Sequence, residues 1–289
     1  MSKLSIGTVQ FGLSYGIANQ AGKINKDEVK KILQLAKNSN ILSIDTAISY
    51  GDSEKIIGEL GVNDFQIVSK LPDLPHGCDD IYTWVERNVK SSINRLRISS
   101  LYGLLIHNSE NILGSNGLKL INALKMIKLR GLVKKIGISI YDPNECEKVM
   151  KIFEFDIIQA PLNIIDRRFV TSGWLSRLHS EGVEIHTRSV FLQGLLLMPR
   201  SRIPKIFDKW NEIWDQWFLN LKKNNISALE ACLSYPLSLP QIDKLVIGVD
   251  NVTQLKDIIL KTKSKKSKID WSFMISTDQM LINPTNWKK

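Results

Sequence analysis

Residues 42–54 read LSIDTAISYGDSE. The apolar run Ile41–Asp45 closes on a carboxylate, a loop carrying Tyr50 follows, and Asp52 and Ser53 stand as helix caps ahead of Ile56. The same sequence of apolar run, turn and amphipathic stretch recurs along the chain. The other apolar runs are Leu4–Val9, Phe65–Lys70, Leu101–His107, Val133–Ser139, Phe155–Gln159, Val183–His186 and Lys244–Gly248. Between them lie helical patterns: Asp27–Asn38, with Val29, Ile32, Leu33 and Ala36 on one face, then Asp79–Leu96, Leu118–Arg130 and Pro143–Phe153, the last behind an Asp142 cap. Thr171–Ser180, Ala228–Tyr235 and Val252–Leu260 complete the series. Eight strands, each followed by a helix, predict an α/β chain folded as one (β/α)8 TIM barrel. An open doubly wound sheet is the runner-up, but neither GxGxxG nor a P-loop pattern follows any strand.

The chain has 289 residues, 43% hydrophobic and 24% charged, enough to bury a sizeable core in one domain. Cys78, Cys146 and Cys232 are odd in number and far apart, which disfavours a disulfide framework and a zinc site; no metal is expected. Val190–Met198, the longest apolar stretch, is interrupted by Gln193 and too short to span a bilayer, and MSKLSIGTVQFG lacks the apolar core of a signal peptide. A cytoplasmic protein without membrane partners is expected. Against 29 acidic residues stand 39 basic ones, a net charge of +10, part of it in the run Lys261–Lys268 (KTKSKKSK). Such a run reads as a solvated face or as attraction for an anionic ligand; no zinc-finger, RNP or KH signature joins it, so no nucleic-acid partner is expected.

Two features admit more than one reading. Gly12-Leu13-Ser14-Tyr15-Gly16 matches GxSxG, but a nucleophile elbow needs a helix directly after its serine, and GIANQAGKIN reads as loop. Trp210, Trp214 and Trp217 recur at i, i+4 and i+7 within an extra helical segment, about 201–224, between the seventh and eighth strands. They serve either as packing or as a substrate wall. A C-terminal tail, about 265–289, has no assigned role, although Trp287 could fold back over the barrel.

The informative residues end strands. Asp45 ends the second, Lys70 the third and His107 the fourth, with Tyr50 in the loop after the second. Each alone is explicable as packing or loop bonding. Together they converge, because neighbouring parallel strands lie about 5 Å apart, and in a barrel they meet at the C-terminal mouth where active sites sit. A tyrosine has a reference pKa of about 10; a nearby ammonium lowers it, a carboxylate holds the ammonium, and a histidine can hydrogen-bond a carbonyl oxygen. That set can protonate an alkoxide while a cofactor delivers hydride.

With these residues in place the chain resembles the aldo-keto reductases, (β/α)8 barrels that reduce carbonyls with a nicotinamide cofactor, usually NADPH, without a Rossmann fingerprint. The resemblance runs from Gly7-Thr8 to Gly248 and Gln254. It implies catalytic roles for Asp45, Tyr50, Lys70 and His107, the tyrosine hydroxyl lying within hydrogen-bond reach of the lysine or the histidine. It also implies a cofactor site built from Thr8, Val9, Asp45, Ser139, Gln159, Arg188, Ser189, Gly194, Gly248, Asn251 and Gln254. Ile140 stands where an asparagine often follows the serine, and Arg188 where many members stack a tyrosine on the nicotinamide. GTVQFGLSYG and IGISIYDP are similar to a branch associated with sugar and surface-polysaccharide metabolism, which implies a small carbonyl substrate of keto-sugar or sugar-nucleotide type. The alternative is a non-catalytic cofactor-binding redox sensor or regulatory subunit on the same fold. The stretch VIGVDNVTQLKDII lacks the family's arginine and carries Asp250, so the expected cofactor is NADPH with a weakened preference, NADH being admitted. Oligomeric state is left open.

Overall fold

The computed structural model describes residues 2–263 and 269–287. Eight parallel strands form one closed barrel in sequence order: β1 Leu4–Gly7, β2 Ser43–Asp45, β3 Gln66–Leu71, β4 Leu101–Ile106, β5 Val133–Ser139, β6 Ile157–Pro161, β7 Glu184–Arg188 and β8 Lys244–Gly248. Closure comes from β8 pairing with β1, Leu4 opposite Leu245 and Gly7 opposite Gly248. This is the expected (β/α)8 barrel. Some boundaries move. β1 stops at Gly7 because Val9–Gly12 turns into a short helix, and β6 and β7 run two residues further, so that Arg188 ends β7. The expected helix Thr171–Ser180 is broken by Gly173 (φ +81°) into Arg168–Thr171 and Trp174–Ser180. The helix from Pro143 ends at Met150 rather than Phe153.

Helix starts follow local chemistry. Asn25 Oδ1 accepts from the Glu28 amide to open Lys26–Asn38, whose Val29, Ile32, Leu33 and Ala36 are buried. Asp142 and Glu145 form a reciprocal capping box for Pro143–Met150. Asp52 does not cap Ser53–Leu60 with its side chain; its carboxylate pairs with Lys23 at 2.9 Å instead.

Most apolar burial lies between the strands and the outer helices, while Val68, Leu105 and Ile157 form a smaller cluster inside the barrel. Strand residues in register share a face. Space there is tight: a Cβ on Gly137 would fall 2.3 Å from Leu105 Cδ2 and 2.6 Å from the Ile157 carbonyl oxygen. Toward the N-terminal ends of the strands the interior turns polar. Glu184 accepts from Tyr102 Oη (2.8 Å), from Lys135 and from His186 Nε2 (2.7 Å). Burial pushes the Glu184 carboxyl up, but the bonds from His186, Lys135 and Tyr102 outweigh it and bring it down to about 2.

Trp214 and Trp217, on the helix Asn211–Lys223, are buried, so these two rings pack into the body rather than face open solvent. Trp287 stands edge-on to Phe207 at 4.9 Å. Of the lysine run, Lys261 pairs with Glu230 at 2.9 Å, while residues 264–268 lie outside the described residues. No helix among the described residues is long and apolar enough to cross a membrane.

Candidate active site

A cavity of about 790 Å³ opens at the C-terminal ends of the strands. Asp45, Tyr50, Lys70 and His107 all line it. Asp45 and Lys70 are carried by adjacent strands, β2 and β3, and both are buried. Lys70 Nζ lies 2.5 Å from Asp45 Oδ1 and donates to the Thr46 carbonyl at 2.9 Å, and Gln159 Nε2 donates to Asp45 Oδ2 at 2.7 Å. Both carboxylate oxygens are thereby engaged. Tyr50 is placed by a tight turn against the helix Val9–Gly12, where a Cβ on Gly12 would lie 1.8 Å from the Tyr50 carbonyl oxygen. Gly12, part of the GxSxG match, is therefore a packing glycine; the segment after Ser14 is loop, with no helix to make an elbow.

One expectation is corrected. Among the described residues the Tyr50 hydroxyl has no hydrogen bond to Lys70 or His107. The Lys70 ammonium sits over the face of the Tyr50 ring, 5.2 Å from its centroid, and the His107 ring meets it edge-on at 5.8 Å. His107 Nδ1 lies 3.5 Å from Ser49 Oγ. The electrostatics follow the same geometry. Burial and the Asp45 charge push the Tyr50 phenol above its usual range, with Arg188 opposing them. The Lys70 ammonium over the ring does not offset that rise, because Asp45 pairs with it at close range. Burial depresses the Lys70 ammonium itself, with Asp45 supporting it. Burial, then the Lys70 charge, lowers His107 to about 4, so the imidazole is neutral near pH 7.

The other candidates surround the same space. Thr8, Val9, Ser139, Gln159, Arg188 and Ser189 line the cavity, as do Gly194, Gly248, Asn251 and Gln254. Ser139 and Gln159 are register partners on β5 and β6. Gln159 Oε1 is buried and has no partner. Arg188 stacks on Tyr141 at 4.2 Å and donates from Nη2 to the Ile140 carbonyl at 3.0 Å. The loop after β7 is held in positive φ at Ser189, Leu192, Gln193 and Gly194, a conformation that non-glycine residues adopt only under constraint. Part of that constraint is visible: Asn163 Nδ2 holds the Ser189 carbonyl at 3.0 Å, and Gln193 Nε2 lies 3.2 Å from Tyr15 Oη across the cavity.

Sequence reading missed Tyr15, Tyr141, Gln10 and Arg202, which also line the cavity. Tyr15 and Gln10 stand in GTVQFGLSYG and Tyr141 in IGISIYDP, stretches that mark the family resemblance without singling out these side chains. For Arg202 no local pattern announces the position.

Comparison with known proteins agrees with the geometry. The Aldo/keto reductase family model matches residues 3–275. The chain is 23% identical over 287 residues to the uncharacterized oxidoreductase YqkF of Bacillus subtilis (strain 168), covering 92% of each chain. The holo form of the aldo-keto reductase AKR11C1 from Bacillus halodurans superposes with a TM-score of 0.73 at 19% identity, over 92% of this chain and 88% of that one. The glycerol dehydrogenase AKR11B4 from Gluconobacter oxydans gives 0.70 at 19% identity, over 98% and 93%. At these identities the two structures speak to the fold alone.

Proposed function

Since the chain belongs to the aldo/keto reductase family of NAD(P)H-dependent oxidoreductases, we propose that it reduces the carbonyl of a small aldehyde or ketone, of keto-sugar or sugar-nucleotide type, to the alcohol, with Tyr50 as general acid. The observation that carries this reading is the convergence of Asp45, Tyr50, Lys70 and His107 on one cavity whose wall holds an unpartnered acceptor, Gln159 Oε1. A nicotinamide carboxamide offers both a donor amine and an acceptor oxygen, so it fits an uncommitted amide oxygen beside the Ser139 hydroxyl. Ser139 and Gln159 would hold that end, and Arg188, Ser189 and Gly194 the adjoining part.

When bound, the cofactor supplies the hydride. The chain's own residues do the rest. Tyr50, kept protonated by burial and by Asp45, delivers a proton from Oη to the carbonyl oxygen as negative charge builds there. Neutral His107 hydrogen-bonds that oxygen without competing as the acid. Lys70, fixed by Asp45 and the Thr46 carbonyl, lies beneath the phenol and favours the phenolate left behind. The phenolate then regains a proton from water entering the open cavity. The net positive charge favours an anionic substrate such as a sugar nucleotide.

The test is oxidation of NADH or NADPH by the purified protein over a panel of aldehydes, ketones and keto sugars. Turnover with at least one carbonyl is expected. Tight cofactor binding with no turnover on any of them would overturn the reading in favour of a cofactor-holding sensor.

A further inference from the structure

The loop that follows β2 places more than Tyr50. The Thr46 amide donates to the Val68 carbonyl at 2.8 Å and the Ile48 amide to the Lys70 carbonyl at 3.1 Å, so the loop keeps to β3 after Asp45. The Tyr50 amide then closes a turn on the Ala47 carbonyl at 3.0 Å. Ser49 stands between these two anchored amides, and its hydroxyl meets His107, just past the end of β4. Ser49 Oγ lies 3.5 Å from His107 Nδ1, long for a hydrogen bond, as active-site contacts commonly are before a substrate is bound. Among the described residues neither atom has another hydrogen-bond partner.

With Nδ1 turned to Ser49, the nitrogen left for the substrate is Nε2. The ring lines the cavity edge-on to Tyr50. Burial and the Lys70 charge keep it neutral near pH 7, with Arg188 acting the same way and Asp45 and Asp73 against. A neutral imidazole carries a single N–H. With that proton on Nδ1, the serine accepts it and Nε2 turns a bare lone pair on the carbonyl oxygen, two acceptors face to face. With it on Nε2, the ring donates to the carbonyl oxygen and bare Nδ1 takes the serine proton, a chain whose bonds polarise one another.

We propose that Ser49 is a positioning residue for the reduction: its hydroxyl donates to His107 Nδ1 and holds the imidazole in the tautomer whose Nε2–H meets the substrate carbonyl. The inference rests on the reductase reading above and deepens it by naming what orients the histidine. Nothing in the local sequence announces the pair, which is 58 residues apart.

The experiment is long-range proton–nitrogen NMR of the purified protein labelled with nitrogen-15 at histidine. The chain has four histidines, and His107→Gln identifies the signals of His107. At pH 7 the wild-type ring is expected to be neutral with its proton on Nε2. Ser49 is exposed, so its replacement leaves the core untouched. Ser49→Ala should give a mixture of tautomers and lower kcat/KM by about 2–10-fold, the worth of one hydrogen bond. Ser49→Thr, which keeps the hydroxyl, should restore both readouts. Ser49→Asp should draw the proton to Nδ1, raise the pH at which the ring titrates and lose more kcat/KM than Ser49→Ala. A wild-type ring protonated on Nδ1 overturns the inference, as does a tautomer that Ser49→Ala leaves unmoved. The expected tautomers with no turnover of any carbonyl would instead overturn the reductase reading, and with it the role of the serine though not its bond.

Discussion

Two ion-paired clusters lie inside the same barrel, one toward each end. At the mouth Asp45 is bound by Lys70 and Gln159; toward the floor Glu184 is bound by Lys135, Tyr102 and His186. In bonding they are alike, although Lys135 at the floor keeps 34% of its side chain exposed against 1% for Lys70. They differ in what they leave free. The floor cluster is absent from the lining of the 790 Å³ cavity, and its charges are turned inward on Glu184. At the mouth Asp45, Lys70, Gln159 and Tyr50 all line that cavity, the Tyr50 hydroxyl without a bond to Lys70 or His107 and the buried Gln159 Oε1 without a partner. Buried charge inside a barrel thus marks a site only where a cavity reaches groups that the fold has left uncommitted.

The sharpest way to break the comparison is Tyr50→Phe. It removes one oxygen and little volume, so calorimetric cofactor affinity should stay within about twofold while turnover falls by about 10²–10⁴-fold or more. Turnover near wild type on any good substrate would remove Tyr50 from the chemistry. Lys70→Met should lose comparable turnover and also stability, of about 3–5 kcal/mol by chemical denaturation, because Asp45 is left as a buried charge without its cation.

Glu184→Gln probes the other end. It should cost about 1–3 kcal/mol of stability by leaving Lys135 and His186 poorly partnered, with kcat and KM unchanged; a large loss of kcat would make the floor part of the machinery. Its acid behaviour is also distinct. With the folded carboxyl at about 2 against an ordinary 4.5, its stabilisation is complete above about pH 4.5 and lost as pH falls toward 2. His107 has the higher window. Its folded pKa of about 4 lies below the ordinary 6.5, so stability present above about pH 6.5 is lost as pH falls toward 4. That loss should be about 1–3 kcal/mol, reduced from the full linkage value because the ring faces an open cavity. An acid scan of His107→Gln should lack the upper step and one of Glu184→Gln the lower. Identical scans would mean that the two ends do not titrate separately. In kinetics His107→Ala should raise KM as well as lower kcat.

The mouth is legible in the sequence for the same reason that the floor is not. Asp45, Lys70 and His107 each stand where an apolar run stops, and in a parallel barrel strand ends are neighbours by construction. Lys135 and Glu184 lie within strands 49 residues apart, and no periodicity says that their side chains meet. The strands themselves are legible because continuous apolar runs suit a sheet covered on both faces. Their ends are less so: β7 carries Thr187 and Arg188 beyond its apolar run, because hydrogen bonding to β6 continues where hydrophobicity has ceased. The balance at Tyr50 is not legible at all: the cation of Lys70 argues for a lowered phenol, burial raises the phenol and depresses the ammonium, and no spacing in the sequence reports that burial.

Barrel closure bears on how the protein is made. β1 is synthesised before the other seven strands, yet one of its two edges is completed only by β8, Leu4 meeting Leu245. Until then that edge presents unpaired amides and carbonyls, the template on which strands of other chains add. A chain halted before residue 244 has two raw edges, one on β1 and one on β7, where the finished barrel has none. Late closure therefore concentrates the risk of misassembly in the interval before β8 emerges, when the apolar surface of seven strands is already made and still awaits the eighth.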